Sequence, residues 1–243
     1  HRLIRRQRQM CIRDRFRIAN EESTYLLIWT TTPWTLVDNE AVAVKGDGEY
    51  CKVRVGSEYL IIAKDLVKIV MDMLGISEWK CVETIKGESL AGLKYIHPLL
   101  EEVPIHRNHV ESHKVVTADF VSLTEGTGLV HIAPGHGPED FELGLKYNLP
   151  ITSTVEANGT FNDDGGIFKG LDIDSASRKV IEILKNKGLL VFEGKIRHMY
   201  PHCWRCGTPL IYRADKQWFL RVSAVKDKLI AKLNEVKIFP EKL

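Results

Sequence analysis

Three short stretches concentrate the side chains that do chemistry. The first runs Trp29-Thr30-Thr31-Thr32-Pro33-Trp34-Thr35-Leu36-Val37-Asp38-Asn39 and puts four threonines in six positions. A threonine hydroxyl both donates and accepts hydrogen bonds, and its branched Cβ makes a stiff wall of small volume. Such a wall suits a pocket that takes a sugar or base and excludes bulk. On composition alone, a threonine-rich sheet edge is the simpler reading. The second stretch runs from Glu125 to Phe141 and holds His131, His136 and Asp140. A short strand ends near His131, a glycine- and proline-rich loop carries His136, and Asp140 opens a helix after Pro138. Two histidines and a carboxylate thus converge on a strand–loop–helix junction, the kind of place where sites sit on a rigid scaffold. The His-x4-His spacing is not a standard zinc pair, and no G-x-S-x-G elbow marks a serine hydrolase. A metallohydrolase built on His131, His136 and Asp140 stays open as an alternative.

The third stretch is Tyr200-Pro201-His202-Cys203-Trp204-Arg205-Cys206, followed by Gly207. C-x-x-C with a following glycine has zinc-knuckle geometry, but tetrahedral zinc needs two more ligands. His202 is too close in sequence to Cys203 to share the ion easily, and Cys51 and Cys81 read as isolated singletons. Cys203 and Cys206 are therefore half a metal site. No thioredoxin-like context supports a redox role.

The elements that position these residues follow from periodicity. Tyr25–Trp29 reads as a strand, stopped at Pro33. Ala41–Val44, Tyr50–Val55 and Tyr59–Ile62 read as further strands. Leu66, Ile69, Val70, Met73 and Leu74 fall on one face of a helix over 64–74, closed by Gly75. Strands follow at 115–121 and 129–133, then a helix after Pro138 with acids in its first turn. A helix over 175–186, a strand over 189–197 and a helix over 223–236 that buries Val225, Leu229 and Leu233 complete the pattern. Many short strands without βαβ rhythm predict a β-barrel or mixed sheet with helices around it.

Composition narrows the class. The chain has 243 residues, 44% hydrophobic and 27% charged, with a net charge of +2. These are ordinary globular values, and no apolar run reaches the roughly 20 residues of a membrane helix. Five cysteines, an odd number, point to a reducing compartment, the cytoplasm. The first 15 residues hold six arginines against one acid, Asp14. They read as a non-native or disordered basic extension rather than a nucleic-acid arm. Without them the balance is 28 basic to 31 acidic residues.

In this order, the three stretches resemble the isoleucyl-tRNA synthetase family, specifically its inserted editing domain and the start of the returning catalytic segment. Thr30–Leu36 is similar to the family's threonine-rich editing motif. Gly126–Gly137, closed by Glu139-Asp140-Phe141, is similar to its second motif. Tyr200–Cys206, Thr208–Arg213 and Gln217–Phe219 are similar to the segment after the insertion. The valyl and leucyl families carry Arg-Pro where this chain has Pro33-Trp34. One departure stands out: Val37-Asp38 replaces the usual Pro-Ala, adding a negative charge beside a site for an anionic RNA end. The family's His-x-Gly-His and Lys-Met-Ser-Lys-Ser motifs of amino-acid activation are absent from these residues.

The resemblance implies an α+β fold: a β-barrel-centred editing domain over 16–197 with surrounding helices, and a short partial segment of the catalytic domain over 198–243. It implies hydrolysis of the ester of valyl-tRNA(Ile) with isoleucine excluded by size, since a methylene is worth only about 1–3 kcal/mol in a single hydrophobic pocket. Asp140 then binds the α-ammonium and His131 bounds the side-chain pocket. Thr31 and Thr32, with Thr30, Trp34 and Thr35, hold the terminal adenosine and aminoacyl group. Asn39 falls on a motif position, and His136 is a further substrate contact. No cofactor is implied for editing, and a structural zinc is implied only at the incomplete Cys203–Cys206 site. The implied partners are the valine-bearing 3′ end of tRNA(Ile) and the rest of the parent synthetase, to a monomer with no membrane attachment. The alternative is a non-catalytic module, binding a tRNA end or zinc and inactive outside its parent.

Overall fold

A computed structural model describes residues 2–233 and 235–237; His1, Asn234 and residues 238–243, the end of the expected return segment, lie outside the described residues. In chain order the elements are β1 (Arg2–Ile18), β2 (Thr24–Thr30), a 3-10 turn (Pro33–Asp38), β3 (Ala41–Val44), β4 (Glu49–Val55), β5 (Glu58–Ala63), α1 (Val67–Leu74), β6 (Lys80–Lys86), α2 (Gly87–Leu90), β7 (Tyr95–Ile96), β8 (Lys114–Thr117), β9 (Leu129–Ile132), α3 (Pro138–Tyr147), α4 (Ile173–Asn186), β10 (Leu190–Cys203) and α5 (Lys226–Leu233).

The strands form two open sheets rather than the expected barrel. The larger has the order β10-β1-β2-β5-β4-β6, with β7 added beside β1; the smaller has the order β8-β3-β9. β2 is buried along most of its length because Leu26, Leu27 and Ile28 are fully enclosed. It pairs antiparallel with β1 and parallel with β5. β3 is buried on both faces, and the period of two splits its side chains. Val42 and Val44 join the main core, while Ala41 and Ala43 join a second cluster with Leu143 of α3 and Leu149. β3 places Val42 opposite His131 on β9. α4 packs Val180, Ile181 and Leu184 inward and lies against the 3-10 turn. Its N-cap Asp172 accepts the amides of Asp174 and Ser175, satisfying two of the orphan donors of a helix start.

Four expectations are corrected. Of the expected extension, residues 2–15 belong to β1, which pairs with both β10 and β2. Ile12 and Phe16 are completely buried core residues. Arg15 bonds Glu58 and its guanidinium lies 4.4 Å from the Tyr25 ring centre. The arginines mask this in the sequence, since Arg13, Arg15 and Arg17 are interleaved with Ile12, Phe16 and Ile18. Cys51 and Cys81 are not singletons but a disulfide joining β4 to β6. The strand expected to end at 197 continues as β10 to Cys203, through the proposed domain border. Finally, α5 is shorter than expected and buries nothing: Leu229 and Leu233 are 56% and 57% exposed.

Candidate functional site

The threonine motif turns sharply where β2 ends. Pro33 sits in the first turn of the 3-10 segment, pre-setting its φ. The turn folds the hydroxyls onto each other. Thr35 Oγ1 donates to the Thr32 carbonyl at 2.8 Å. Having spent its one proton there, it must accept from His131 Nε2, 3.0 Å away. Thr32 Oγ1 is 3.2 Å from Thr35 Oγ1 and 3.4 Å from Thr30 Oγ1. The protons therefore run from Thr30 to Thr32 to Thr35. This order fixes the tautomer of His131, with the hydrogen on Nε2 and the lone pair on Nδ1. His131 Nδ1 is buried and has no partner. Burial, and then the neighbouring His136, lower the His131 pKa to about 4, so the ring is neutral. Thr31 stands apart from the chain and makes no hydrogen bond among the described residues. With Thr32 and Trp34 it lines a cleft of about 450 Å³ that Asp174, Lys195 and Tyr200 close from the other side.

The second motif crosses from β9 to α3. Gly135 is needed there because a Cβ would lie 1.9 Å from the Thr152 carbonyl oxygen. Gly128, at φ +77° in the turn before β9, would place a Cβ 2.2 Å from that of Ala63. Asp140 lies in the first turn of α3, and its Oδ2 accepts the Ala133 amide at 3.1 Å. Burial raises its pKa to about 6 against the pull of that amide and of His136. A second cleft, about 570 Å³, lies between the loop of Gly135 and Gly137 and residues Tyr212–Asp215. His131 and Asp140 line neither of these two clefts.

His136 and Asn39 are held by the protein itself. His136 Nε2 is 2.6 Å from Asp38 Oδ2, and its Nδ1 is 3.0 Å from the Tyr212 carbonyl. Asn39 is fully buried; it donates to the carbonyls of Ala41 and Ile132 and accepts the Tyr95 hydroxyl at 2.6 Å. It anchors the end of β9 rather than facing outward. Trp34, 6% exposed, meets the His136 ring edge-on at 4.8 Å.

Behind the turn lies a layer that sequence reasoning missed. Asp38, Asn39 and Glu40 have no exposed surface. Glu40 accepts from His109, Ser112 and Thr152. His97, His106 and His113 pack beside them, with His97 stacked on His106 at 3.6 Å. The one sequence signal was three polar residues in a row, 38–40, between apolar runs. Ligand atoms of the three histidines lie within 4.8 Å of one another, as do those of Glu40, His106 and His109. The bonding suits packing better than a metal. His97 Nδ1 accepts the Leu99 amide, and His106 Nε2 donates to the Val37 carbonyl. Stacked rings also cannot both aim in-plane lone pairs at one ion. Burial lowers all three pKa values, to about 4 for His106 and about 3 for His113.

Cys203 and Cys206 close the turn at the end of β10, where the Gly207 amide bonds the Cys203 carbonyl. The exposed Cys206 thiol is drawn down to about 7, chiefly by the Thr208 hydroxyl. Among the described residues no third ligand joins the pair.

Comparison with known proteins places this geometry. A family model described as "Leucyl-tRNA synthetase, editing domain" matches residues 8–185. An isoleucine–tRNA ligase of Pyrobaculum aerophilum is 55% identical over 233 residues, 94% of this chain and 24% of the relative. That of Methanocaldococcus jannaschii is 49% identical over 93% of the chain and 23% of the relative. The chain thus spans about a quarter of the length of these relatives. A solved structure described as GlLeuRS-CP1 shares the fold, with a TM-score of 0.59 at 14% identity over 76% of this chain and 98% of its own. Among the described residues no helix is long and apolar enough to cross a membrane.

Proposed function

Because the chain belongs to the family of aminoacyl-tRNA synthetase editing domains, with isoleucine–tRNA ligases among its relatives, we propose that it hydrolyses the ester of valyl-tRNA(Ile) and spares isoleucyl-tRNA by size. One observation carries the reading. The hydroxyl chain from Thr30 and the Nε2–H of a neutral His131 converge on Thr35, and the Asp140 carboxylate is anchored two residues beyond His131 at the same strand end.

In this reading Asp140 pairs with the α-ammonium, where a partly dry setting strengthens the attraction. Thr30, Thr32, Thr35 and Trp34 wall the terminal ribose and the valine side chain. His131, buried and neutral, bounds the side-chain pocket, and a water held by the threonine hydroxyls turns its oxygen toward the ester carbon. That oxygen bonds to carbon, the bond to the ribose oxygen breaks, and the ribose oxygen takes up the proton. Thr31, whose hydroxyl is uncommitted, lines the neighbouring cleft and contacts the terminal adenosine. Cys203 and Cys206 are proposed as two ligands of a structural zinc, with the rest supplied by partners outside the described residues. The proposed partners are the tRNA 3′ end and the remainder of a synthetase.

The test is deacylation of valyl-tRNA(Ile) against isoleucyl-tRNA(Ile), with Asp140→Ala as control and a strong chelator present in parallel. Valyl-tRNA is expected to turn over selectively, with or without chelator. Losing a charged hydrogen bond worth about 1.5–3 kcal/mol lowers kcat/KM of Asp140→Ala about 10- to 150-fold. Equal rates on the two tRNAs would remove the size-exclusion reading. A second reading, a tRNA-end-binding module inert outside a larger enzyme, is favoured by the placement of His131 and Asp140 outside the two clefts. It predicts binding of the tRNA without turnover.

A further inference from the structure

The Asp38–His136 pair joins segments far apart in the chain, and both side chains are buried, at 0% and 1% exposure. Asp38 closes the 3-10 turn. Its carboxylate accepts the Thr154 amide at 3.1 and 3.3 Å and the Thr154 hydroxyl at 2.9 Å. His136 faces an acceptor at each nitrogen. A carbonyl carries no proton, so Nδ1 must donate to Tyr212; the carboxylate at 2.6 Å favours a second N–H on Nε2. The ring is therefore an imidazolium, and its pKa is raised by Asp38 and the Tyr212 carbonyl in spite of burial. Next to it, the Ala214 amide donates to the Gly135 carbonyl at 2.7 Å. Residues 212–214 are thus tied to the 135–136 loop by one bond in each direction.

A buried ion pair contributes little net stability, but removing one partner strands the other charge. Its value lies in fixing geometry. The charged groups facing His136 are Asp38 from the turn and Asp140 from α3, with neutral His131 from β9. We propose that Asp38 and His136 are a positioning pair, a latch that fastens residues 212–214 to the loop between His131 and Asp140. The path of the segment leaving the domain is thereby coupled to the placement of Asp140. His136 is a positioning residue here, not a substrate contact, because both its nitrogens are committed within the protein. Its bearing on hydrolysis rests on the editing reading of Asp140; the latch itself is measured without any tRNA.

The test is amide hydrogen exchange on the full chain, comparing the parent with Asp38→Asn, His136→Gln and the double Asp38→Asn/His136→Gln. Loss of the latch speeds exchange over 212–216 about tenfold, the equivalent of one hydrogen bond, and leaves α4 and β2 protected. The two single changes are non-additive, as expected of one unit. In deacylation, the variants raise KM more than they lower kcat. In the unaltered chain, ¹⁵N NMR of the imidazole shows both His136 nitrogens predominantly protonated at about pH 6.5, where a free imidazole is half charged; this reading needs no variant to fold. A neutral His136 ring, or unchanged protection of Ala214 in the variants, overturns the proposal. If Asp140→Ala deacylates normally while the exchange result holds, the reading of Asp140 fails and the latch stands.

Discussion

At the scale of single residues, the site depends on which groups are charged. His131 is neutral because burial pushes its pKa down to about 4, while Asp140 is only partly ionised near its raised value of about 6. An ammonium needs the carboxylate charged, so deacylation is expected to rise with pH through an acid limb near 6. Asp140→Asn should abolish that limb and leave a low, flat rate. The measurement is kcat/KM for valyl-tRNA(Ile) between about pH 5 and 8. A limb that persists unchanged in Asp140→Asn would assign it to another group.

At the scale of elements, the β4–β6 disulfide makes a direct prediction. The bridge closes a loop with a sequence separation of 30, for which chain entropy gives about 3–4 kcal/mol. Replacing Cys51 and Cys81 by alanine should lower the denaturant midpoint accordingly without changing the deacylation rate. Intact mass under non-reducing conditions checks the bond itself, with Cys11, Cys203 and Cys206 alone reacting as thiols. This is also where sequence legibility ends. β2 and β3 were readable as short apolar runs of strand length, and α1 and α4 by a clean period of 3.6. Gly75 takes the left-handed cap conformation the pattern predicted, at φ 69°. β1 was not readable. Its inward residues, Ile12, Phe16 and Ile18, are separated by arginines whose charge suggested a tail. The disulfide was hidden because Cys51 and Cys81 lie on strands whose pairing is long-range. At the site, the residue types were legible, but the convergence of Thr32 and His131 on the Thr35 hydroxyl depends on distances no spacing encodes. The inward aim of Asp38 was equally invisible, since its partners, His136 and Thr154, are 98 and 116 residues away.

At the scale of the whole molecule, the buried titratable groups set a pH at which the fold is most stable. His97, His106, His113 and His131 all have folded pKa values below the unfolded value of about 6.5. Each contributes its full stability above that value and loses it as pH falls toward its folded pKa, by about 1.4 kcal/mol per pH unit while it titrates. Asp14, Glu40 and Asp140 act in the opposite sense, because burial raises their pKa values. Four histidines against three carboxylates leave stability falling toward acid below about pH 6.5. On the alkaline side Asp14 dominates. It is fully buried on β1, neither of its oxygens has a side-chain partner among the described residues, and burial pushes its pKa up to about 8. Folded Asp14 stays protonated where the unfolded chain is ionised above about pH 3.9, so its contribution is lost as pH rises through about 8. His136, also raised, adds to that loss above about 6.5. Thermal unfolding followed by circular dichroism should therefore give a maximum Tm near pH 6–7. Asp14→Asn should flatten the alkaline limb, with its advantage over the parent growing from about pH 4 and levelling off above about 8. A constant offset between the two chains across that range would show that Asp14 does not change its protonation on unfolding, and that the arginine-rich first strand is less deeply built into the sheet than its register implies.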